Sequence, residues 1–207
     1  MFIVVEGPEG AGKSTLARAL TARLVADGRV VVAVREPGGT PLAEAARKLA
    51  LTSRDDMADA AELFLILAAR ADLVAQVIRP ALAAGQIVLA DRFELSTIAY
   101  QVAGRGLPRE EVVSAGRLAT GGLTPDLLLV LDVPVATGRG RQRREGKPLD
   151  RFEREDDAFH HRVAEAYRRV EGPGVVHLDA SQSKEAVFEA AWREVAGATI
   201  PRMRGVS

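Results

Sequence analysis

The sequence contains no cysteine in 207 residues. Disulfides, zinc–thiolate centres and cysteine nucleophiles are therefore excluded, and a cytoplasmic location is expected. No charge of one sign is in excess, since Lys+Arg and Asp+Glu are both 28. General nucleic-acid binders carry a basic surplus, so no nucleic-acid partner is expected. Any anion site must come from local placement of charge. Long apolar runs are also missing. The most apolar stretch, Leu63 to Ala69, is closed in by Glu62 and Arg70, far short of the roughly 20 residues that cross a bilayer. No membrane partner is expected. The amino-terminal apolar run stops at Glu6 with no basic segment before it, which does not read as a signal peptide. Histidine is scarce: His160, His161 and His177 lack metal-ligand spacing and read as structural or surface residues. Lysine is scarcer than the charge total suggests, at positions 13, 48, 147 and 184 only.

Five short runs rich in Val, Ile and Leu are present, at 2–6, 30–35, 86–91, 126–132 and 175–180. They do not alternate with polar residues, as expected of parallel strands buried on both faces. Helical patterns separate them. Leu16, Ala19, Leu20 and Leu24 share one face of a helix over 14–26, and a longer pattern over 58–84 stops at Gly85. Strand and helix in alternation predict a doubly wound α/β sheet, with one domain over 1–207. The stretch 138–155 is crowded with charge and carries Gly and Pro. It reads either as a solvated helix and turn or as a mobile lid, at about 138–152, that closes over a polyanion. Residues 198–207 read as a frayed tail.

Between the first strand and the first helix stands Gly7-Pro8-Glu9-Gly10-Ala11-Gly12-Lys13-Ser14-Thr15. It fits the pattern G-x-x-x-x-G-K-[ST]. Glycines let successive backbone N–H groups turn toward phosphate oxygens. The helix that follows adds its positive N-terminal end. Lys13 can reach the β- and γ-phosphates, and the Ser14 hydroxyl can ligate Mg²⁺. A nucleoside triphosphate with its metal is the ligand this stretch needs. Nothing in it says what receives a phosphoryl group.

Three further clusters follow other strands, where open α/β sheets bind ligands. Arg35 opens "REPGGT", a sharp turn that can leave a forked phosphate donor facing the cleft. Asp91 ends the third strand and can hold Mg²⁺, directly or through water, while Arg92 beside it can hold an acceptor phosphate. Asp132 ends the fourth strand in the same way, and the pairing with Arg92 favours Asp91. Ser96, Thr97, Tyr100 and Gln101 share roughly one helical side and offer polar groups to a small ligand. Arg70 interrupts an apolar helix, so it either reaches water or meets an anion or carbonyl.

In these motifs, their order and their spacing, the chain resembles the bacterial type of thymidylate kinase, within the P-loop nucleoside monophosphate kinases. The resemblance rests on "EGPEGAGKST", "REPGGT", "AAR" at 68–70, "DRFELSTIAYQ", "GRG" at 104–106, "PDLLLVLDV" and "LDRFE". It covers nearly the whole chain. It implies a three-layer sandwich around a five-stranded parallel sheet, with a mobile lid. It implies ATP- and Mg²⁺-dependent phosphorylation of dTMP to dTDP in dTTP synthesis. It implies that Arg35 and Arg92 hold the dTMP phosphate and that Arg70 hydrogen-bonds the thymine, with Thr97, Gln101 and Ser96 near by. Tyr100 would lie against the deoxyribose and Glu9 near the acceptor sugar and metal. The lid arginines, Arg141, Arg143, Arg144 and Arg151, would bring charge to the transferring group. The family commonly forms homodimers through apolar helix faces.

One position departs from the family pattern. Relatives commonly place an aromatic residue four positions before the helix arginine, to stack on thymine; here it is Ile66. Weaker dTMP binding, or tolerance of other pyrimidines, is expected. Two other readings stay open at this stage: a kinase for another pyrimidine monophosphate or a nucleoside, and a non-catalytic NTP-binding switch.

Overall fold

Each of the five apolar runs forms one strand in the computed structural model, which describes residues 1–52, 57–146 and 148–199. The strands are β1 (Phe2–Glu6), β2 (Val31–Arg35), β3 (Ile87–Asp91), β4 (Leu127–Asp132) and β5 (Val175–Asp179). They make a single parallel sheet in the order β2-β3-β1-β4-β5. Side chains alternate across it as pleating demands. Ile3, Val5, Leu89, Leu129 and Leu131 pack on one face, against α1 (Lys13–Ala26) and α9 (Lys184–Thr199). Phe2, Val4, Val88 and Ala90 pack on the other, against Leu73, Val74, Ile78 and Phe93. The runs are continuous in sequence because helices cover both faces, which gives the three layers.

Two expectations need correction. β2 and β5 are partly exposed rather than buried throughout, because they are the outer strands of the sheet. In α1, Ala17 is buried and Ala19 only half-buried, while Leu16, Leu20 and Leu24 face the core as expected.

The 58–84 pattern forms α3 (Asp59–Leu73), a π-helical turn at Val74–Ile78 and α4 (Arg79–Ala83). Gly85 follows with φ 72°, the left-handed stop that glycine adopts without strain. The remaining helices are α2 (Pro41–Thr52), α5 (Glu94–Thr97), α6 (Arg109–Thr120), α7 (Val135–Glu145) and α8 (Asp157–Arg168). A π-helical stretch, Ile98–Gly104, continues α5. The expected lid, about 138–152, begins inside α7 and continues past it; Lys147 lies outside the described residues. Residues 198 and 199 belong to α9, and 200–207 lie outside the described residues. No described helix is long and apolar enough to cross a membrane.

The sheet order brings the carboxyl ends of β1, β2 and β3 side by side. Val5 pairs with Asp91, and Arg35 pairs with Asp91. The chain after β1 therefore emerges at the point where strand order reverses, between β3 and β4.

Candidate active site

The stretch after β1 wraps over the start of α1. Gly7, Gly10 and Gly12 all have positive φ, at 142°, 68° and 97°. Gly10 is needed for space as well: a Cβ there would sit 2.1 Å from the Gly138 carbonyl oxygen of α7. Lys13 is buried and its Nζ donates to the Pro8 carbonyl at 2.7 Å. Ala11 is buried and its N–H bonds the same carbonyl at 3.4 Å. Burial, and next the nearby Arg92 cation, pull Lys13 down to about 8.

A cavity of about 460 Å³ opens beside this loop. Glu9, Gly10, Gly12, Lys13, Ser14 and Thr15 form one wall. Arg35, Ile66, Arg70, Asp91, Arg92, Ser96, Thr97, Tyr100 and Gln101 form the rest with residues not anticipated from sequence. Gly7, Pro8 and Ala11 do not line it; they are buried members of the loop. All nine residues implied for dTMP thus meet in one space with the Lys13 wall.

Arg92 is the junction. Its φ is 77°, a left-handed conformation that costs a non-glycine residue on the order of 1–3 kcal/mol. This turn sends its guanidinium back across the mouth of the sheet. Nη1 donates to the Gly7 carbonyl at 3.4 Å, to Ser96 Oγ at 3.1 Å and to Tyr167 Oη at 3.1 Å. Nη2 lies 3.5 Å from Glu9 Oε1 and 3.3 Å from Tyr100 Oη. Burial alone would raise the Glu9 carboxyl, but Arg92 and Lys13 beside it lower it. The Tyr100 hydroxyl also donates to Glu9.

Glu6, at the end of β1, supports this turn. Its fully buried carboxylate accepts from the backbone N–H of Phe93 at 2.7 Å and of Ser96 at 3.0 Å, and from Ser96 Oγ at 2.6 Å. The Ser96 hydroxyl is thereby turned to Glu6, although Ser96 lines the cavity. Glu6 and Tyr167 were not legible as site residues, because one reads as a strand end and the other as a helix core position.

Arg70 is 1% exposed. It meets a carboxylate, a hydroxyl and a carbonyl: Nε to Glu36 Oε2 at 2.6 Å, Nη1 to Thr97 Oγ1 at 2.9 Å, Nη2 to the Phe93 carbonyl at 2.9 Å. A guanidinium has five N–H donors, so one on each Nη remains for a ligand. Burial raises Glu36 to about 7, against the lowering effect of Arg70. Ile66, 8% exposed, lies one helical turn before Arg70 on the same wall, and Phe64 is 63% exposed on another face. Arg35 lines the cavity but is largely exposed and pairs with Glu44 at 3.2 Å.

Ser14 and Asp91 stand together, with the Ser14 hydroxyl donating to Asp91 Oδ2 at 2.5 Å. Asp132 instead pairs with His177 Nδ1 at 2.8 Å and does not line the cavity. Geometry therefore separates two carboxylates that the sequence presented alike.

Of the lid arginines, Arg141 touches the loop, with Nη1 donating to the Gly10 carbonyl at 3.3 Å and to the Ala180 carbonyl at 3.0 Å. Arg143 and Arg144 are exposed on the same helix. None of the three lines the cavity. Arg151 donates to Glu62 Oε2 at 3.0 Å. Residues that sequence reasoning passed over also line the cavity, among them Arg18, Arg47, Gln142, Asp150 and Glu153. Arg18, Arg47 and Gln142 come from separate helices and carry no shared motif, whereas Asp150 and Glu153 share one turn within the "LDRFE" stretch, where Arg151 alone drew a role. Asp150 is raised to about 6, chiefly by burial.

The sequence model of the thymidylate kinase family matches residues 5–191. Thymidylate kinase of Pseudomonas putida strain F1 is 53% identical over 191 residues, 90% of each chain. That of Pseudomonas putida strain W619 is 52% identical over 194 residues, 92% of this chain and 93% of its own. That of Magnetococcus marinus strain MC-1 is 44% identical over 200 residues, 95% of each. With the parallel sheet, the glycine loop and the arginine-lined cavity in place, the chain belongs to the thymidylate kinase family.

Proposed function

We propose that this chain transfers the γ-phosphoryl group of ATP to the 5′-phosphate of dTMP, giving dTDP. The observation that carries this reading is the reach of Arg92 to the glycine loop, at the Gly7 carbonyl and Glu9. A cation for the acceptor and a loop for the donor thus share one cavity. A nucleotide switch has no use for the second cation.

Phosphoryl transfer needs positioning and neutralised charge more than covalent chemistry. The loop N–H groups and Lys13 hold the triphosphate. Arg92 and Arg35 hold the acceptor phosphate against its repulsion by the donor. The acceptor phosphate is ionised near neutral pH, so no strong base is required. Arg70 uses its two remaining N–H donors on the base, near Thr97, Gln101 and Ile66. Tyr100, bonded to Glu9, lies where the deoxyribose fits. Ser96 positions Arg92 rather than touching the nucleotide. Arg141, Arg143 and Arg144 serve the transferring group from a lid built on α7 and the chain after it.

Ser14 and Asp91 put two hard oxygens side by side, and Mg²⁺ takes one or two protein oxygens with phosphate and water for the rest. The donor set fits that ion. When bound it would neutralise charge between the β- and γ-phosphates. Among the described residues no group of three or more His, Cys, Asp or Glu could hold a metal, which suits an ion that arrives with its nucleotide.

A homodimer is the expected assembly. Phe64 of α3 and Leu118 of α6 are 63% and 87% exposed, on two helices joined by a core of Leu63, Leu67 and Val112. Sedimentation should give twice the chain mass, and a monomer at micromolar concentration would overturn this. We assign the chain to the cytoplasm, where its substrates are.

The test of the reaction is ADP release with dTMP and with other nucleoside monophosphates. Turnover with dTMP supports the reading. Activity with another acceptor alone would move it to a different kinase, and no activity at all would favour a switch. Ile66 in place of an aromatic favours some turnover of other pyrimidines.

A further inference from the structure

Glu62 sits in the first turn of α3 with 0% exposure. A carboxylate this deep needs donors around it. Arg105 gives two, Nη2 to Oε2 at 3.0 Å and Nε to Oε1 at 3.2 Å. Arg151 gives one, Nε to Oε2 at 3.0 Å. The fourth is Gln101, whose Nε2 donates to Oε1 at 3.0 Å. None of the phosphoryl chemistry above uses Glu62.

The consequence lies in the fourth bond. The carboxylate of Glu62, held between two guanidinium groups, offers only acceptors, so Gln101 must turn its NH₂ toward it. Reversing the amide would set oxygen against oxygen at that contact. The Gln101 Oε1 is therefore fixed on the other side of the amide. It has no hydrogen-bond partner among the described residues, and Gln101 lines the cavity with Arg70 and Thr97.

We infer that Glu62 is a positioning residue for base selection: by fixing the Gln101 amide, it presents an acceptor that takes pyrimidines bearing an N3–H and rejects cytosine. Thymine and uracil carry that proton. Cytosine has a lone pair at N3, which would face the Gln101 oxygen with no proton between them. The spare N–H donors of Arg70 act in the same sense, since they match a ring carbonyl and not the cytosine amino group. This inference rests on the reading that Gln101 meets the base.

The experiment is steady-state kinetics of the full chain with dTMP, dUMP and dCMP. The wild type should prefer dTMP over dCMP by about 100-fold or more in kcat/KM, as expected where a site's polar group is left unpaired. Glu62→Gln can donate as well as accept, which lets the Gln101 amide reverse. It should shrink that preference by about tenfold, roughly 1.4 kcal/mol, with the ATP KM little changed. A folded Glu62→Gln with undiminished preference overturns the inference. If Glu62→Gln does not fold, N3-methyl-dTMP on the wild type decides. A large loss against dTMP supports a fixed acceptor, and equal use overturns it. Gln101→Leu separates the two levels. An unchanged dTMP KM there sinks the base-pocket reading itself. A raised KM there, with Glu62→Gln still selective, sinks only the role of Glu62.

Discussion

Arg92 Nη2 lies 3.5 Å from Glu9 Oε1, so the residue after β3 and the middle of the glycine loop form one ion pair at the cavity mouth. Arg92→Ala removes the cation assigned to the acceptor phosphate and leaves Glu9 without its partner. kcat/KM for dTMP should fall by about 100-fold or more, the scale of losing a charge-stabilising donor. The ATP KM should change far less. Equal effects on both substrates would argue against an acceptor-side role.

Lys13 is held down to about 8 by burial and by the Arg92 charge. It is charged below that value and neutral above it, and only the ammonium can bind a triphosphate well. kcat/KM for ATP should therefore fall as pH rises through about 8, since that ratio reports the free enzyme. Arg92→Ala removes one lowering cause, so its alkaline limb should move to higher pH. A profile flat to well above 8 would contradict this environment for Lys13.

Glu36 gives a stability test. Its folded value, about 7, lies above the ordinary 4.5. A raised carboxyl binds its proton more tightly folded than unfolded, so its contribution is present below about 4.5 and is lost by about 7. Glu36→Gln has no such proton. Urea unfolding should show the wild type losing stability relative to Glu36→Gln as pH rises across that window. A constant difference between the two would mean that Glu36 does not titrate there.

These tests fall on residues of differing legibility. Lys13, Ser14 and the glycines were readable because backbone cradling of phosphate demands fixed spacing along one loop. The strands were readable because a sheet covered on both faces leaves unbroken apolar runs; β2 and β5 departed only because edge position is set by strand order. Arg70 could be recognised as needing a partner, but its carboxylate, Glu36, is 34 residues away. Tyr167, 75 residues from Arg92, was invisible for the same reason. The left-handed turn at Arg92 and the π-helical stretch under Gln101 leave no mark in residue type.

Ile66 lies in the cavity wall beside Arg70 and is nearly buried. Ile66→Phe restores a ring against the base, worth about 0.5–1.5 kcal/mol of stacking. The dTMP KM should drop by roughly two- to tenfold with kcat little altered. An unchanged or higher KM would show that this wall does not meet the base.

Coupled ADP-release assays with Mg-ATP and a panel of dTMP, dUMP, dCMP, dGMP and thymidine test the central claim most directly. Turnover should be highest with dTMP, and Arg92→Ala should abolish most of it. ADP release that is absent with dTMP, or indifferent to the acceptor supplied, would contradict the account.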